Sequence, residues 1–167
     1  ENLAGSAFDD SLTGGTGDDS IDGGGGADVV AAGNGNDTVT YRGAETSVDG
    51  GTGTDTLVLA ASGGTTAVNF SVATNVDQTT GDAVNVTNFE NLDASALTTA
   101  VVVTGSAFAN TITSGSGNDT IDGGGDTDVI AAGGGDDNVA YRGAETSIDG
   151  GTGTNTLSLK VAATVNL

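Results

Sequence analysis

Residues Gly14 to Val39 read GGTGDDSID GGGGADVVA AGNGNDTV, two nonapeptides and the first eight residues of a third, set end to end. The sixth position of each holds an aspartate (Asp19, Asp28, Asp37) and the eighth an aliphatic residue (Ile21, Val30, Val39). The same grid extends outward to Asp10 and Asp55, and to Leu3, Leu12, Val48 and Leu57. A lone aliphatic between polar neighbours is the pattern of a very short strand whose central side chain points inward. The six glycine-rich residues between strands then form a loop. Two nonapeptides make one turn of loop, strand, loop, strand, and successive turns stack at about 4.8 Å. The predicted fold is all-β, a right-handed parallel β-roll (a β-solenoid) with two opposed sheets and a loop edge on each side.

A longer period overlies the short one. Tyr41-Arg-Gly-Ala-Glu-Thr-Ser47 recurs unchanged at Tyr141 to Ser147, an offset of 141 − 41 = 100 residues, and GSAF at Gly5 recurs at Gly105. The second copy carries the aliphatic grid at Val103, Ile112, Ile121, Ile130, Val139, Ile148 and Leu157. Four segments follow: a first block over 1–59, a β-rich inter-block segment over 60–102, a second block over 103–159, and the start of another inter-block segment over 160–167. In the inter-block segment Val68, Phe70 and Val72 alternate at period two, as do Val84 and Val86. Leu57 and Val103 are 46 residues apart, one more than five nonapeptides, so the grid is not kept across it. Glu1-Asn-Leu3 repeats Glu90-Asn-Leu92, and Val165-Asn-Leu167 resembles Val68-Asn-Phe70, which points to a longer array of such units.

Composition narrows the chemistry. The 167 residues include 30 glycines, six aromatics, and no proline, cysteine, methionine or tryptophan. A thick core is therefore excluded, and so are disulfides. Three basic residues (Arg42, Arg142, Lys160) against 23 acidic ones leave a formal charge of −20, which excludes nucleic acid and anionic membrane as partners and favours cations. With no histidine or cysteine and one lysine, the usual bases and nucleophiles are missing, so no enzyme is expected on this segment. No apolar run of transmembrane length is present.

A core of one branched aliphatic per nine residues is too thin to hold so many glycines in order. The loops must bind something in the folded state. Their glycines can take positive φ and turn carbonyls inward, and the position-six aspartate adds a carboxylate: hard oxygen donors suited to Ca²⁺. Loops eighteen residues apart stack on one edge, which pairs Asp10 with Asp28, Asp19 with Asp37, and Asp37 with Asp55. In the second block Asp119 pairs with Asp137, while Asn110 with Asp128 and Asp137 with Asn155 offer one charge fewer and predict weaker sites. The carbonyl donors expected are those of Gly14, Gly15, Gly17, Gly23, Gly24, Gly26, Gly33, Gly35, Gly50, Gly51 and Gly53. Gly115, Gly117, Gly123, Gly124, Gly133 and Gly135 are their counterparts in the second block. Asp126 stands where the first block has Gly26. Thr46 and Thr146 occupy position six in the YRGAET loops, where Arg42 and Arg142 are candidate tethered cations in place of an ion.

Residues 3–59 and 103–159 resemble the repeats-in-toxin family, whose GGxGxDxUx nonapeptide forms a parallel β-roll with Ca²⁺ between loops. The resemblance implies export through a type I system in an unfolded state, with folding triggered by external calcium. The expected protein is a calcium-dependent structural module, extracellular or at the cell surface, of a large bacterial surface-layer or adhesin-like protein. Two other readings stand beside it: the secretion and folding domain of an exported enzyme, and a subunit that associates with neighbouring copies into a filament or layer.

Overall fold

The computed structural model describes residues 1–60 and 64–161, and the described residues contain eighteen strands and no helix. The first block supplies β1 (Asn2–Ala4), β2 (Ser11–Thr16), β3 (Ser20–Asp22), β4 (Val29–Asn34), β5 (Thr38–Tyr41), β6 (Ser47–Thr52) and β7 (Thr56–Leu59). The inter-block segment supplies β8 (Ala67–Asn69), β9 (Thr79–Thr80), β10 (Asn85–Thr87) and β11 (Asn91–Asp93). The second block supplies β12 (Val102–Thr104), β13 (Thr111–Thr113), β14 (Thr120–Asp122), β15 (Val129–Ala131), β16 (Asn138–Tyr141), β17 (Ser147–Asp149) and β18 (Thr156–Leu159). The echo of Val68-Asn-Phe70 at Val165 to Leu167 falls outside the described residues.

Within each block the strands pair in parallel at a spacing of eighteen residues: Ile21 with Val39, Leu12 with Val30, Ile112 with Ile130, Ile121 with Val139. One side of the solenoid is an eight-stranded sheet, β1-β3-β5-β7-β11-β13-β15-β17. The other side holds β2-β4-β6-β10 and β9-β8-β12-β14-β16-β18. A position-eight aliphatic from each turn points between the two sides, where its neighbours point out, so one narrow cluster runs from Ile21 to Val139. Leu3, Leu12 and Ile148 at the two ends are only partly covered.

The inter-block segment does not interrupt the first sheet. β11 bridges the blocks, with Leu92 paired to Leu57 on one side and to Ile112 on the other. The extra length is taken up on the opposite side. There β10 extends the first block (Val86 with Val48) and β8 extends the second (Val68 with Val103). Between them lies β9, antiparallel to β8, and Gln78 just before it donates its N–H to Val86 O of β10 at 2.7 Å.

The lost register has a topological consequence. Leu12, Val30 and Val48 lie on the broken side, whereas Ile112, Ile130 and Ile148, one hundred residues on, lie in the eight-stranded sheet. Successive blocks are therefore half a turn out of phase. The two YRGAET loops, identical in sequence, project from opposite edges of the solenoid.

Candidate metal centres

The position-six aspartates act as rungs between turns. Asp28 Oδ1 accepts the Asp10 amide at 2.9 Å, Asp37 Oδ1 the Asp19 amide at 2.8 Å, and Asp55 Oδ1 the Asp37 amide at 2.7 Å. In the second block Asp119 Oδ1 accepts from Val101 N, Asp128 Oδ1 from Asn110 N, and Asp137 Oδ1 from Asp119 N, all at 2.8–2.9 Å. Each carboxylate thus uses one oxygen on the neighbouring turn and is fixed in rotation by it.

The second oxygen has no partner. Among the described residues, eight buried side-chain polar atoms lack a hydrogen bond. One is the Tyr41 hydroxyl, and the other seven are the Oδ2 atoms of Asp19, Asp28, Asp37, Asp55, Asp119, Asp128 and Asp137. Each of these seven aspartates is at most 4% exposed. A buried carboxylate oxygen without a donor is costly, and the recurrence of one such atom at a single repeat position is the mark of a ligand site.

What surrounds these oxygens fits a calcium ion. A Cβ at Gly14 would overlap Ala32 O and Asp19 Oδ2, and one at Gly23 or Gly123 would overlap the Oδ2 of Asp28 or Asp128. At Gly14, Gly23 and Gly123 a side chain is excluded by the oxygens beside it and not by a positive φ, whereas the loops of Asp37, Asp119 and Asp137 carry Ala32, Ser114 and Ala132 at position one. Positive φ belongs to positions two and four, as at Gly15 (104°) and Gly17 (96°). No three carboxylates converge among the described residues. An ion held here rests on one or two carboxylates and on backbone carbonyls, a hard, all-oxygen donor set.

Position five forms a second ladder running the other way. Asp9 Oδ1 accepts the Ala27 amide, Asp18 Oδ1 that of Asn36, Asn36 Oδ1 that of Thr54, Asn118 Oδ1 that of Asp136, and Asp136 Oδ1 that of Thr154, all at 2.7–2.9 Å. Position five stitches a loop upward where it is Asp9, Asp18, Asn36, Asn118 or Asp136, and the position-six aspartates named above stitch downward. At Asp9, Asp18, Asn36, Asn118 and Asp136 an acceptor alone is needed, which Asp or Asn supplies equally well, whereas position six needs a second free oxygen, and there Asp dominates.

The remaining expected ligands are placed differently. Asp10 Oδ2 takes the Ser6 amide at 2.6 Å and the Ser6 hydroxyl at 2.9 Å, so the GSAF loop supplies donors where other loops supply carbonyls. Asn110 Oδ1 takes the Ser106 amide at 2.7 Å, and its Nδ2 donates to Glu90 O at 2.6 Å, leaving no free oxygen. Asn155 Oδ1 takes the Asp137 amide at 2.9 Å while Nδ2 donates to Gly150 O. Gly115 and Gly117 lack the positive φ of Gly15 and Gly17. Their loop stacks on the irregular stretch before Val101, and Ser116 N donates to Leu97 O at 2.9 Å.

The YRGAET loop closes a ladder by another route. Arg42 does not reach toward position six: its Nε and Nη2 bind Asp22 Oδ1 and Oδ2 at 3.0 and 2.6 Å, a bidentate pair with the end of β3. Arg142 makes the same pair with Asp122. The group that fills the loop is Glu45, 4% exposed, whose Oε1 takes the Arg42 amide and whose Oε2 takes those of Gly43 and Ala44, at 2.8–3.0 Å. This loop turns amides inward around its own anion, the inverse of a calcium loop.

Electrostatics separate the two kinds of carboxylate. Burial pushes Asp55 up to about 7, with the charges of Glu90, Asp37 and Asp49 adding to it, and burial likewise raises Asp119, Asp128 and Glu90. Arg42 and Arg142 hold Asp22 and Asp122 below the usual carboxylate range. The first group lacks the positive charge that the second possesses. Glu45, Glu90 and the position-five residues were not singled out by the nonapeptide grid. The signal for Glu45 was its presence in the unchanged heptapeptide, and for Glu90 the repeated Glu-Asn-Leu.

No curated protein matches the chain. The model of the RTX calcium-binding nonapeptide repeat matches four copies, over residues 4–39 and 104–139. The loops that carry the buried, unpartnered aspartates from Asp19 to Asp37 and from Asp119 to Asp137 lie in those spans, and residues 4–39 and 104–139 are RTX calcium-binding nonapeptide repeats.

Proposed function

We propose that this calcium-binding repeat module is a structural segment of a secreted bacterial surface protein, a surface-layer component or adhesin stalk, that folds on meeting calcium outside the cell. The observation that carries the reading is the set of seven buried aspartate oxygens without donors, all at position six of the repeat, in a chain of net charge −20. Without cations these loops repel and leave carboxylates desolvated; with millimolar calcium, the range used by extracellular modules, the ions neutralise and cross-link successive turns. The residues holding them are Asp19, Asp28, Asp37, Asp55, Asp119, Asp128 and Asp137, with carbonyls of the glycine loops. Calcium serves as a structural cross-link, supplying positive charge between turns and no reaction step. The chain's own residues set the spacing of those charges through the two side-chain ladders.

The duplication at 100 residues favours a length-building array over the rival reading, the folding domain of an exported enzyme. Sequence beside this segment separates them: further units support the stalk or layer, and a hydrolase or protease motif supports the rival. The localisation is tested by protease shaving of intact producing cells with calcium and with a chelator. Surface exposure, with cleavage accelerated when calcium is withdrawn, supports the proposal, and a protected cytoplasmic chain contradicts it. A second reading, association with neighbouring copies, is tested by light scattering against calcium concentration, and a strictly monomeric species at high calcium counts against it.

A further inference from the structure

The connection from β10 to β11 is three residues shorter than a nonapeptide: Val86 to Leu92 spans six residues, where Val48 to Leu57 spans nine. Asn88, at φ 60°, makes the turn in place of a glycine loop, and its Nδ2 is anchored on Asp49 Oδ1 at 2.7 Å and Asn75 Oδ1 at 3.0 Å. Where the following loop would present an aspartate, this one presents Glu90. Its extra methylene compensates for the shorter backbone, and Glu90 Oε2 accepts the Asp55 amide at 2.8 Å, the bond that Asp55 Oδ1 makes with Asp37. The backbone completes the correspondence, with Glu90 N and Asn91 N both donating to Asp55 O at 3.1 and 2.9 Å.

The oxygen cradle is reproduced as well. A Cβ at Gly50 would overlap the Asn88 carbonyl, as one at Gly14 would overlap that of Ala32. Asp55 is fully buried, and its Oδ2 meets no donor. The arginines do not answer that charge, since both are paired with Asp22 and Asp122. We propose that Asp55, Glu90 and the Asn88 carbonyl form a calcium site outside the nonapeptides, joining the last loop of the first block to the inter-block segment. The proposal rests on the reading of position-six carboxylates as calcium ligands. An ion here locks β11, the strand that joins the blocks, to β7. With Asn110 Nδ2 on the Glu90 carbonyl, it makes one edge continuous from Asp19 to Asp128.

Glu90→Gln in the full chain tests the assignment, because glutamine keeps an oxygen for the Asp55 amide and removes only the charge. Native mass spectrometry across a calcium titration, with circular dichroism on the same samples, is expected to show the β signal kept and one calcium ion fewer at saturation. Equal ion count and equal affinity in wild type and variant overturn the Glu90 site and leave the nonapeptide sites standing. A wild-type chain that takes up no calcium overturns both. Should the variant not fold, wild type carrying ¹³C-labelled glutamate carboxyls serves instead, since the chain has four glutamates. Exchanging calcium for strontium in the folded protein is expected to move the Glu90 resonance and leave that of Glu45, which is enclosed by its own loop amides; an unmoved Glu90 overturns the proposal.

Discussion

The Asp37 amide donates to Asp55 Oδ1 at 2.7 Å, while the other oxygen of the same carboxylate, fully buried, meets no donor. One side chain thereby holds two turns in register and keeps an oxygen in reserve. That division of labour separates ligands from mere stitching and gives the first prediction. Asp136→Asn and Asp137→Asn are adjacent and chemically identical changes. Asp136 only accepts the Thr154 amide, which an asparagine oxygen does equally well, so the calcium affinity of the full chain stays within about twofold. Asp137 loses its free oxygen, and the affinity of the ion it holds falls about tenfold or more, ~1.4 kcal/mol. Calorimetric titration of both variants decides it, and equal effects contradict the assignment.

The YRGAET loop yields a second contrast. The Arg42–Asp22 pair is well exposed on both sides (side chains 41% and 38%), so Arg42→Ala costs at most about 1 kcal/mol of calcium-loaded stability. Glu45→Ala leaves three inward amides without their anion and costs about 2–3 kcal/mol. Urea unfolding at saturating calcium measures both. The reverse order would restore the arginine as the group that closes the ladder.

Asp126 adopts φ 68° at a position where the first block has Gly26 at 117°. The loop keeps its shape at the expense of a left-handed non-glycine residue, which bonds its own neighbour's amide (Thr127 N to Oδ1, 2.9 Å). Asp126→Gly is expected to raise calcium-loaded stability by about 0.5–1 kcal/mol. A loss of stability would show that the Asp126 carboxylate is itself used.

On the proposed assignment, protons and calcium compete for the same oxygens. In calcium-free solution Asp55, Asp119, Asp128 and Glu90 are all raised by burial, so the folded form holds protons that the unfolded chain releases. Their contribution to calcium-free stability is complete below the ordinary carboxylate range and is lost as pH rises, for Asp55 through about 7. Calcium-stripped protein therefore shows more strand signal at pH 4.5 than at pH 8, and the calcium concentration that half-fills the sites of the folded form rises as pH falls from 8 to 5.5. A calcium midpoint independent of pH would contradict this.

The roll itself was legible because its code is strictly local. The spacing of Ile21, Val30 and Val39 defines the turn, and the strand pairs follow at eighteen residues. The aspartate grid located the seven unpartnered oxygens for the same reason. Less legible were features decided by which turn lies next door. Asn110 has the right position, but its neighbour is the short loop at Glu90, and its amide is spent there. Gly117 has the right sequence, yet stacks on a stretch that is not a nonapeptide. Glu45 falls at position five, yet its role was not legible there, since an amide-lined anion site follows a different rule from a carbonyl-lined cation site. The half-turn shift between blocks depends on how the inter-block segment divides its length between two sides, which no local pattern in residues 60–102 specifies.

The central claim is that calcium between the loops, and not the thin aliphatic core, holds the roll together. Far-ultraviolet circular dichroism of the whole chain at neutral pH, with millimolar calcium and then with excess EGTA, tests it directly. The account predicts a β spectrum with calcium, loss of ordered structure on chelation, and recovery when calcium is restored. A sheet signal that survives EGTA unchanged would contradict it.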